Sequence, residues 1–379
     1  MSDNIIKRFV VLDSFRGLCA LAVVAFHMRV VGSFTELGFF RSSFLFVEFF
    51  FALSGFVLTH KYGSRENLGL NQFVLSRTFR LLPVHLFMLL CFLALEAGKY
   101  LTEYAGVSLN NPPFSGSNSL AEIIPNALLL QAWLPFTEPQ SFNAPSWSIS
   151  IEYYLYLIFA VTIAFLPTQH RATMWLLISV AGFWSLASSA HVPTQYAARG
   201  LSCFFAGSIT YTLFASVRDR LSPTSAVATL AEAASLIAVI VFLGNATGRD
   251  APFTGVLFGL VILIFAFEKG NISKYLSARP LLHLGEISYC VYMIHYAILL
   301  IFVLGMTVAS KITALPLAPV VDGIRFIDTG SVFLNNLTSL AVLGVVVCAA
   351  GLVRRYVELP GIRAGKMIAE RSVSRSVAA

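Results

Sequence analysis

The sequence predicts an all-α polytopic membrane protein with about ten transmembrane helices and both termini cytoplasmic. Of its 379 residues, 57% are hydrophobic and 12% charged, where a soluble domain carries about 25% charge. Apolar runs of about 18 residues or more alternate with short polar stretches, the pattern of a chain that crosses the bilayer repeatedly. The basic residues behind the net charge of +7 gather where apolar runs end. Topology explains that clustering better than a nucleic-acid partner does.

Eleven apolar runs are candidates: 9–31, 44–60, 84–104, 121–134, 148–166, 172–190, 196–217, 228–244, 254–268, 285–308 and 333–353. Lys7 and Arg8 place the start of the first run inside, and Lys61, Arg65, Arg77 and Arg80 place the loop after the second run inside too. No small-residue cleavage site follows the first run and Arg16 interrupts it, so it reads as an uncleaved helix. The run 121–134 is short and lies between Asn111-Pro112-Pro113 and the prolines 135, 139 and 145. If it crossed, Arg218, Arg220, Lys269, Lys274, Arg279, Arg354 and Arg355 would all lie outside, against the positive-inside bias. Ten crossings follow, in one membrane domain over 1–379: a helical core at about 9–353, an outer excursion at 105–147 and a short cytoplasmic tail at 354–379. The loops 105–147 and 309–332 are long enough to expect function of them. The five cysteines lie in apolar runs without metal spacing and read as packing residues.

The first run carries Arg16 and His27, eleven residues apart. Eleven steps of about 100° return to nearly the same direction, so both side chains share a face, about 16 Å apart along the axis. Arg16 either snorkels to the interface and pairs with Asp13 or faces a cytoplasmic anion. His27 is either a hydrogen-bonded core residue or a catalytic one. In the second run, Ser54-Gly55 reads as close helix packing, while Glu48 at the outer end could orient or charge a histidine. Arg77 and Arg80 share a helix face ahead of Pro83, which suits the first turn of the third helix. The pair reads as an anion site or as plain positive-inside bias. Trp147 and Ser148 open the next helix from outside. Trp147 also suits an interfacial belt. Glu152 lies one turn inside with Tyr156 on its face, and an acid there must pair or work. Ser288, Tyr292 and His295 form a polar stripe at i, i+4 and i+7, which implies a polar cavity between helices or mutual satisfaction of the hydroxyls.

In order and spacing these segments resemble the acyltransferase-3 family of bacterial membrane O-acyltransferases. The carriers are LDSFRGLCALAVVAFH at 12–27, FFALSGF at 50–56, Arg77 with Arg80, WSISIE at 147–152, SYCVYMIH at 288–295, and Tyr356-Val357-Glu358-Leu359-Pro360. Two positions depart from the pattern: Ser14 stands where glycine is usual, and Tyr153 follows Glu152 where a second acid or polar residue is common. The chain also shows no appended extracytoplasmic esterase-like domain.

The resemblance implies acyl-CoA, most often acetyl-CoA, as co-substrate and a glycan hydroxyl, as in exopolysaccharide or lipopolysaccharide, as acceptor. It also implies a multi-pass place in the bacterial cytoplasmic (inner) membrane, with no metal and no nucleic acid. In that frame Arg16, Arg77 and Arg80 would hold nucleotide phosphates and His27 would act as general base, oriented by Glu152 or Glu48. An acyl-histidine intermediate is the alternative chemistry. Asp13, Ser54, Trp147, Ser148, Tyr156, Ser288, Tyr292 and His295 would line the substrate path. The rival class is a proton-coupled transporter or lipid-linked glycan flippase that uses His27, Glu152 and His295 as a relay.

Overall fold

The computed structural model describes residues 8–104, 112–188, 193–246 and 251–378. Fourteen helices account for most of them. Apart from α14, described below, ten are long: α1 (Val10–His27), α3 (Phe46–Tyr62), α4 (Leu70–Tyr104), α6 (Trp147–Phe165), α7 (Thr168–Ala187), α8 (Gln195–Val217), α9 (Ser225–Asn245), α10 (Ala251–Phe265), α12 (Arg279–Thr313) and α13 (Val332–Val353). Eight helices among the described residues are long and apolar enough to cross a membrane. The others are α7, which carries Arg171, and α10, whose apolar part is Thr254–Phe265. Both pack against α8.

Two glycine crossings set the bundle. Helix α1 meets α12 where Gly17 lies on Gly285, and a Cβ at Gly17 would sit 2.7 Å from the Gly285 nitrogen. Helix α3 meets α8 the same way: a Cβ at Gly55 or Gly207 would run into the carbonyl oxygen of Phe204 or Ala52. Lipid gives helices no hydrophobic reason to associate, so close backbone approach through small residues supplies the packing. The Ser14 departure is absorbed at the first crossing, where its buried hydroxyl donates to Leu276 O at 2.6 Å. Leu276 ends the short helix α11 (Asn271–Leu276). The start of α11 is fixed by the buried Glu232 of α9, which accepts from Gly270 N, Ser273 N and the Ser273 hydroxyl.

Two expectations are corrected on the basic side. Pro83 does not open the third membrane helix but lies inside the 35-residue α4. At 1.5 Å per residue α4 is about 52 Å long, more than the ~30 Å hydrocarbon core, so its first turns, with Arg77 and Arg80, project beyond it. The segment 354–379 is not a plain tail either. A π-turn at Arg354–Glu358 leads into α14 (Leu359–Ala378), which lies along the start of α4 with Gly361 against the Pro83 ring and Gly365 against Phe79. The α14 packing supports the helix at the proline and along the turns before it, where a proline normally breaks a helix.

The run 121–134 does not cross. It forms the five-residue α5 (Ile123–Ala127) and then turns into α6: Ser150 Oγ donates to Leu129 O at 2.6 Å, and Trp133 Nε1 donates to Ser150 O at 3.1 Å. Glu96 ties the excursion to α4 by accepting from Lys99, Phe114 N and Asn118 Nδ2. The second outer loop carries a strand pair absent from the sequence expectation, β1 (Val320–Val321) and β2 (Ile324–Arg325), joined by Asp322-Gly323 with both φ positive, the geometry of a type I′ turn. Its return strand lies against the chain just after α1: Ile327 N donates to Arg29 O at 2.8 Å, and Val31 N donates to Ile327 O at 3.0 Å.

A glycine crossing this close leaves no room for a side chain, and Gly285→Val should abolish monodisperse protein on size exclusion, while Gly344→Ala, in open space, should leave the profile unchanged. The hairpin loop should respond to acid. Hydrogen bonds from Asn335 and Gly330 N hold Asp328 below the usual carboxylate range. A depressed carboxylate stabilises above its unfolded value of about 3.9, and that contribution is lost as pH falls through the folded value. Proteolysis at Arg325 should therefore accelerate below about pH 4, and Asn335→Ala should move the onset to higher pH.

Candidate functional site

The Gly17–Gly285 crossing fixes α1 against α12, and their polar faces meet. The His27 ring lies 5.1 Å from the His295 ring and 5.7 Å from Tyr296. His295 is fully buried, with Nδ1 on Val291 O at 3.3 Å. The α1 face does not point at one site, however. Arg16 and His27 open onto two cavities, one above the other.

The outer cavity holds about 600 Å³ and is lined by His27, Arg29, Trp147, Tyr196, Arg199 and Tyr292, among others. The inner cavity is small, about 40 Å³, and takes Arg16 from α1, Ser54 from α3, Glu152 from α6, and Ser288, Tyr289 and Tyr292 from α12. Tyr292 and Val47 line both. The Tyr292 hydroxyl accepts from Ser148 Oγ at 2.8 Å and donates to Pro145 O at 3.1 Å, so a bonded phenol forms the partition.

In the inner cavity Glu152 accepts from Ser54 Oγ at 2.6 Å and from the Tyr156 hydroxyl. Ser54 thus bonds across helices while its neighbour Gly55 makes the crossing. Arg77 stacks on the Tyr156 ring at 5.6 Å. Two tyrosines pin the basic face of α4 nearby: Tyr153 OH pairs with Thr78 Oγ1 at 3.0 Å and Tyr289 OH donates to Leu81 O at 2.6 Å. The second departure from the family pattern, Tyr153, is therefore a structural anchor. Arg16 and Arg80 make no hydrogen bond or ion pair with the described residues. Asp13 does not join them; it pairs with Arg8 at 2.6 Å.

The expected carboxylate behind His27 is absent among the described residues. Glu152 lies five residues below the start of α6, about 7.5 Å in depth, where it reaches the Arg16 cavity instead. Glu48 is fully buried and holds Arg199, with Arg199 Nε at 2.6 Å from Glu48 Oε1. Arg199 also lies over Trp147 at 4.8 Å, which makes Trp147 a cavity wall rather than a belt residue. Arg199 is absent from the residues that the sequence singled out. The signal was present, since an arginine inside the run 196–217 meets the criterion that picked Arg16. Arg41, just outside the membrane segments, caps the end of α1 through Ala25 O and Met28 O. Burial first, then the Arg29 charge, pushes it down to about 10.

The bundle thus places Arg16 in a small inner cavity and His27 on the wall of a larger outer one. The family described as Acyltransferase domain matches residues 9–354. The chain belongs to the acyltransferase-3 family. Among curated relatives, acyltransferase MdmB of Streptomyces mycarofaciens is 33% identical over 161 residues, 39% of this chain and 37% of that protein. The putative membrane-bound transacylase BcsY of Komagataeibacter xylinus is 27% identical over 302 residues, 75% of this chain and 71% of that one. Peptidoglycan O-acetyltransferase OatA of Listeria monocytogenes is 24% identical over 322 residues, 76% of this chain and 49% of OatA. The chain thus spans less than half the length of MdmB and OatA. No solved structure matches it. No group of three or more potential metal ligands occurs among the described residues of this acyltransferase domain.

Removing one member of the Glu48–Arg199 pair leaves the other charge buried. Arg199→Leu should cost about 3–5 kcal/mol, read as a lower melting temperature in detergent, and Arg199→Leu combined with Glu48→Leu should recover much of the loss.

Proposed function

We propose that this chain is a membrane O-acyltransferase that moves an acyl group, most simply acetyl, from cytoplasmic acyl-CoA to a glycan hydroxyl on the other side. The observation that carries the reading is the pair of cavities sharing Tyr292, one facing the basic side and one the outer side. A transporter explains two cavities as well, but it has no use for Arg16 in the inner one with Arg77 and Arg80 on the neighbouring face of α4. Arginine forks match phosphate oxygens, and three of them suit a nucleotide carrier.

The thioester arm of the donor then enters past Glu152 and Ser54 and meets His27 beyond Tyr292. Neutral His27 takes the proton of the acceptor hydroxyl as its oxygen attacks the thioester carbonyl. The carbon–sulfur bond breaks, and the CoA thiolate leaves with the proton held on His27. His295, with its Nδ1 held by a backbone carbonyl, faces His27 where a carboxylate was expected and fixes the ring by packing. Glu152, bonded to Ser54 and Tyr156, keeps the inner path polar. We take exopolysaccharide or lipopolysaccharide hydroxyls as the acceptors and the bacterial inner membrane as the setting, the reading expected of a bacterial membrane O-acyltransferase.

The decisive experiment is acetyl-CoA consumption by purified protein in detergent, with folding followed by size exclusion. His27→Ala should fold and lose at least about 100-fold in rate, the loss expected of a general base. Arg16→Ala should raise the KM for acetyl-CoA by about tenfold or more, since a hydrogen bond to a charged group contributes about 1.5–3 kcal/mol. Full activity of folded His27→Ala sinks the mechanism. Failure of the wild type to bind or consume acetyl-CoA, with glycan extract present, returns the transporter.

A further inference from the structure

The outer half of the molecule carries several cations, although the positive-inside bias disfavours them there. Among the described residues most have an internal partner, and the exposed Lys311 at the end of α12 has none. Arg199 is held by Glu48. Arg41 donates to Thr35 O, Ala25 O and Met28 O and has Glu36 at 3.8 Å. Lys99 pairs with Glu96, and Arg325 donates to Ala318 O. Of the two arginines on the cavity wall, Arg29 is the unpaired one: it is half-buried, and its side chain makes no hydrogen bond or ion pair with any described residue. It lies 5.9 Å from the Phe26 ring, as Arg41 does, so two guanidinium groups share one aromatic ring.

The rest of the wall has a matching character. No aspartate or glutamate lines the outer cavity. Trp147 and Tyr196 form a ring pair at 4.7 Å, and Gln140 and Gln195 add side-chain amides. Aromatic faces and amides suit sugar rings and hydroxyls, and an uncompensated guanidinium suits a carboxylate or phosphate. The backbone of Arg29 is fixed, since its carbonyl accepts from Ile327 N of the hairpin loop. It follows His27 by two residues, at most about 7 Å between Cα atoms.

Resting on the acyltransferase reading, we propose that the acceptor is an acidic glycan, with Arg29 holding its carboxylate or phosphate so that a hydroxyl of the same or the adjacent sugar meets His27. Arg29 is a positioning residue for the acceptor and plays no part in holding the donor. An acceptor bound this way reaches the cavity from the outer side, past the hairpin loop that covers Arg29.

The test uses the full chain in detergent with radiolabelled acetyl-CoA. Envelope glycans of the source cells, separated beforehand by anion exchange into neutral and acidic pools, serve as probes. Label should enter the acidic pool at least tenfold more than the neutral pool. Arg29→Gln should raise the KM for the acidic pool tenfold or more with kcat within twofold, and Arg29→Lys should restore most of the affinity. Carbodiimide reduction of uronates in one arm and removal of phosphate in another identify which anion is read. Transfer to the neutral pool overturns the proposal, as does an Arg29→Gln protein that handles the acidic pool normally or loses kcat alone. His27-dependent consumption of acetyl-CoA with neither pool labelled also overturns it and leaves the acyltransferase reading standing. No consumption at all removes both.

Discussion

The structure depends on close backbone contact between helices in a solvent that does not push helices together. At Gly17–Gly285 and Gly55–Gly207 the chains approach until no Cβ fits between them, and dispersion and local polar bonds replace the hydrophobic drive of a soluble core. The first crossing faces Arg16 and His27 of α1 toward Ser288, Tyr292 and His295 of α12. The second brings Glu48 and Ser54 of α3 toward Arg199 of α8 and Glu152 of α6. The two cavities are the space left where these pairs splay apart.

Polar groups in this bundle divide into two kinds. Glu96 and Glu232 each accept three hydrogen bonds and hold an outer excursion and an inner helix in place. Arg171 donates to four backbone carbonyls, Leu166, Gly63, Arg65 and Ile163, and closes the turn between α6 and α7 onto the end of α3. These are saturated, as buried polar atoms in a low-dielectric interior must be. The side chains of Arg16, His27, Arg29 and Arg80 carry no such bonds to described residues, and Arg16, His27 and Arg29 line a cavity. Glu96, Glu232 and Arg171 hold the fold, whereas Arg16, His27 and Arg29 keep unbonded polar groups at a cavity.

The polytopic all-α build and the shared face of Arg16 and His27 were legible in the sequence, because apolar length and helical periodicity are local properties. So was the inner run of Arg77 and Arg80, although its helix begins thirteen residues before the proline that was expected to start it. Support from α14, a segment more than 270 residues away, makes that proline tolerable, and no local propensity records it. Arg199 was visible by the cost of a charge in an apolar run. Its bond to Glu48, 151 residues earlier, was not.

The sequence by itself determined which residues lie on which helix face and which ionisable groups the membrane would tolerate only with a partner or a task. The tertiary structure alone decided who partners whom. It gave Glu48 to Arg199, Glu152 to Ser54 and Tyr156, Asp13 to Arg8 and His295 to His27, and it divided one polar stripe into two cavities at Tyr292. The reason is geometric: periodicity sets direction around one axis, whereas depth and pairing between axes follow from where two glycines let the helices touch.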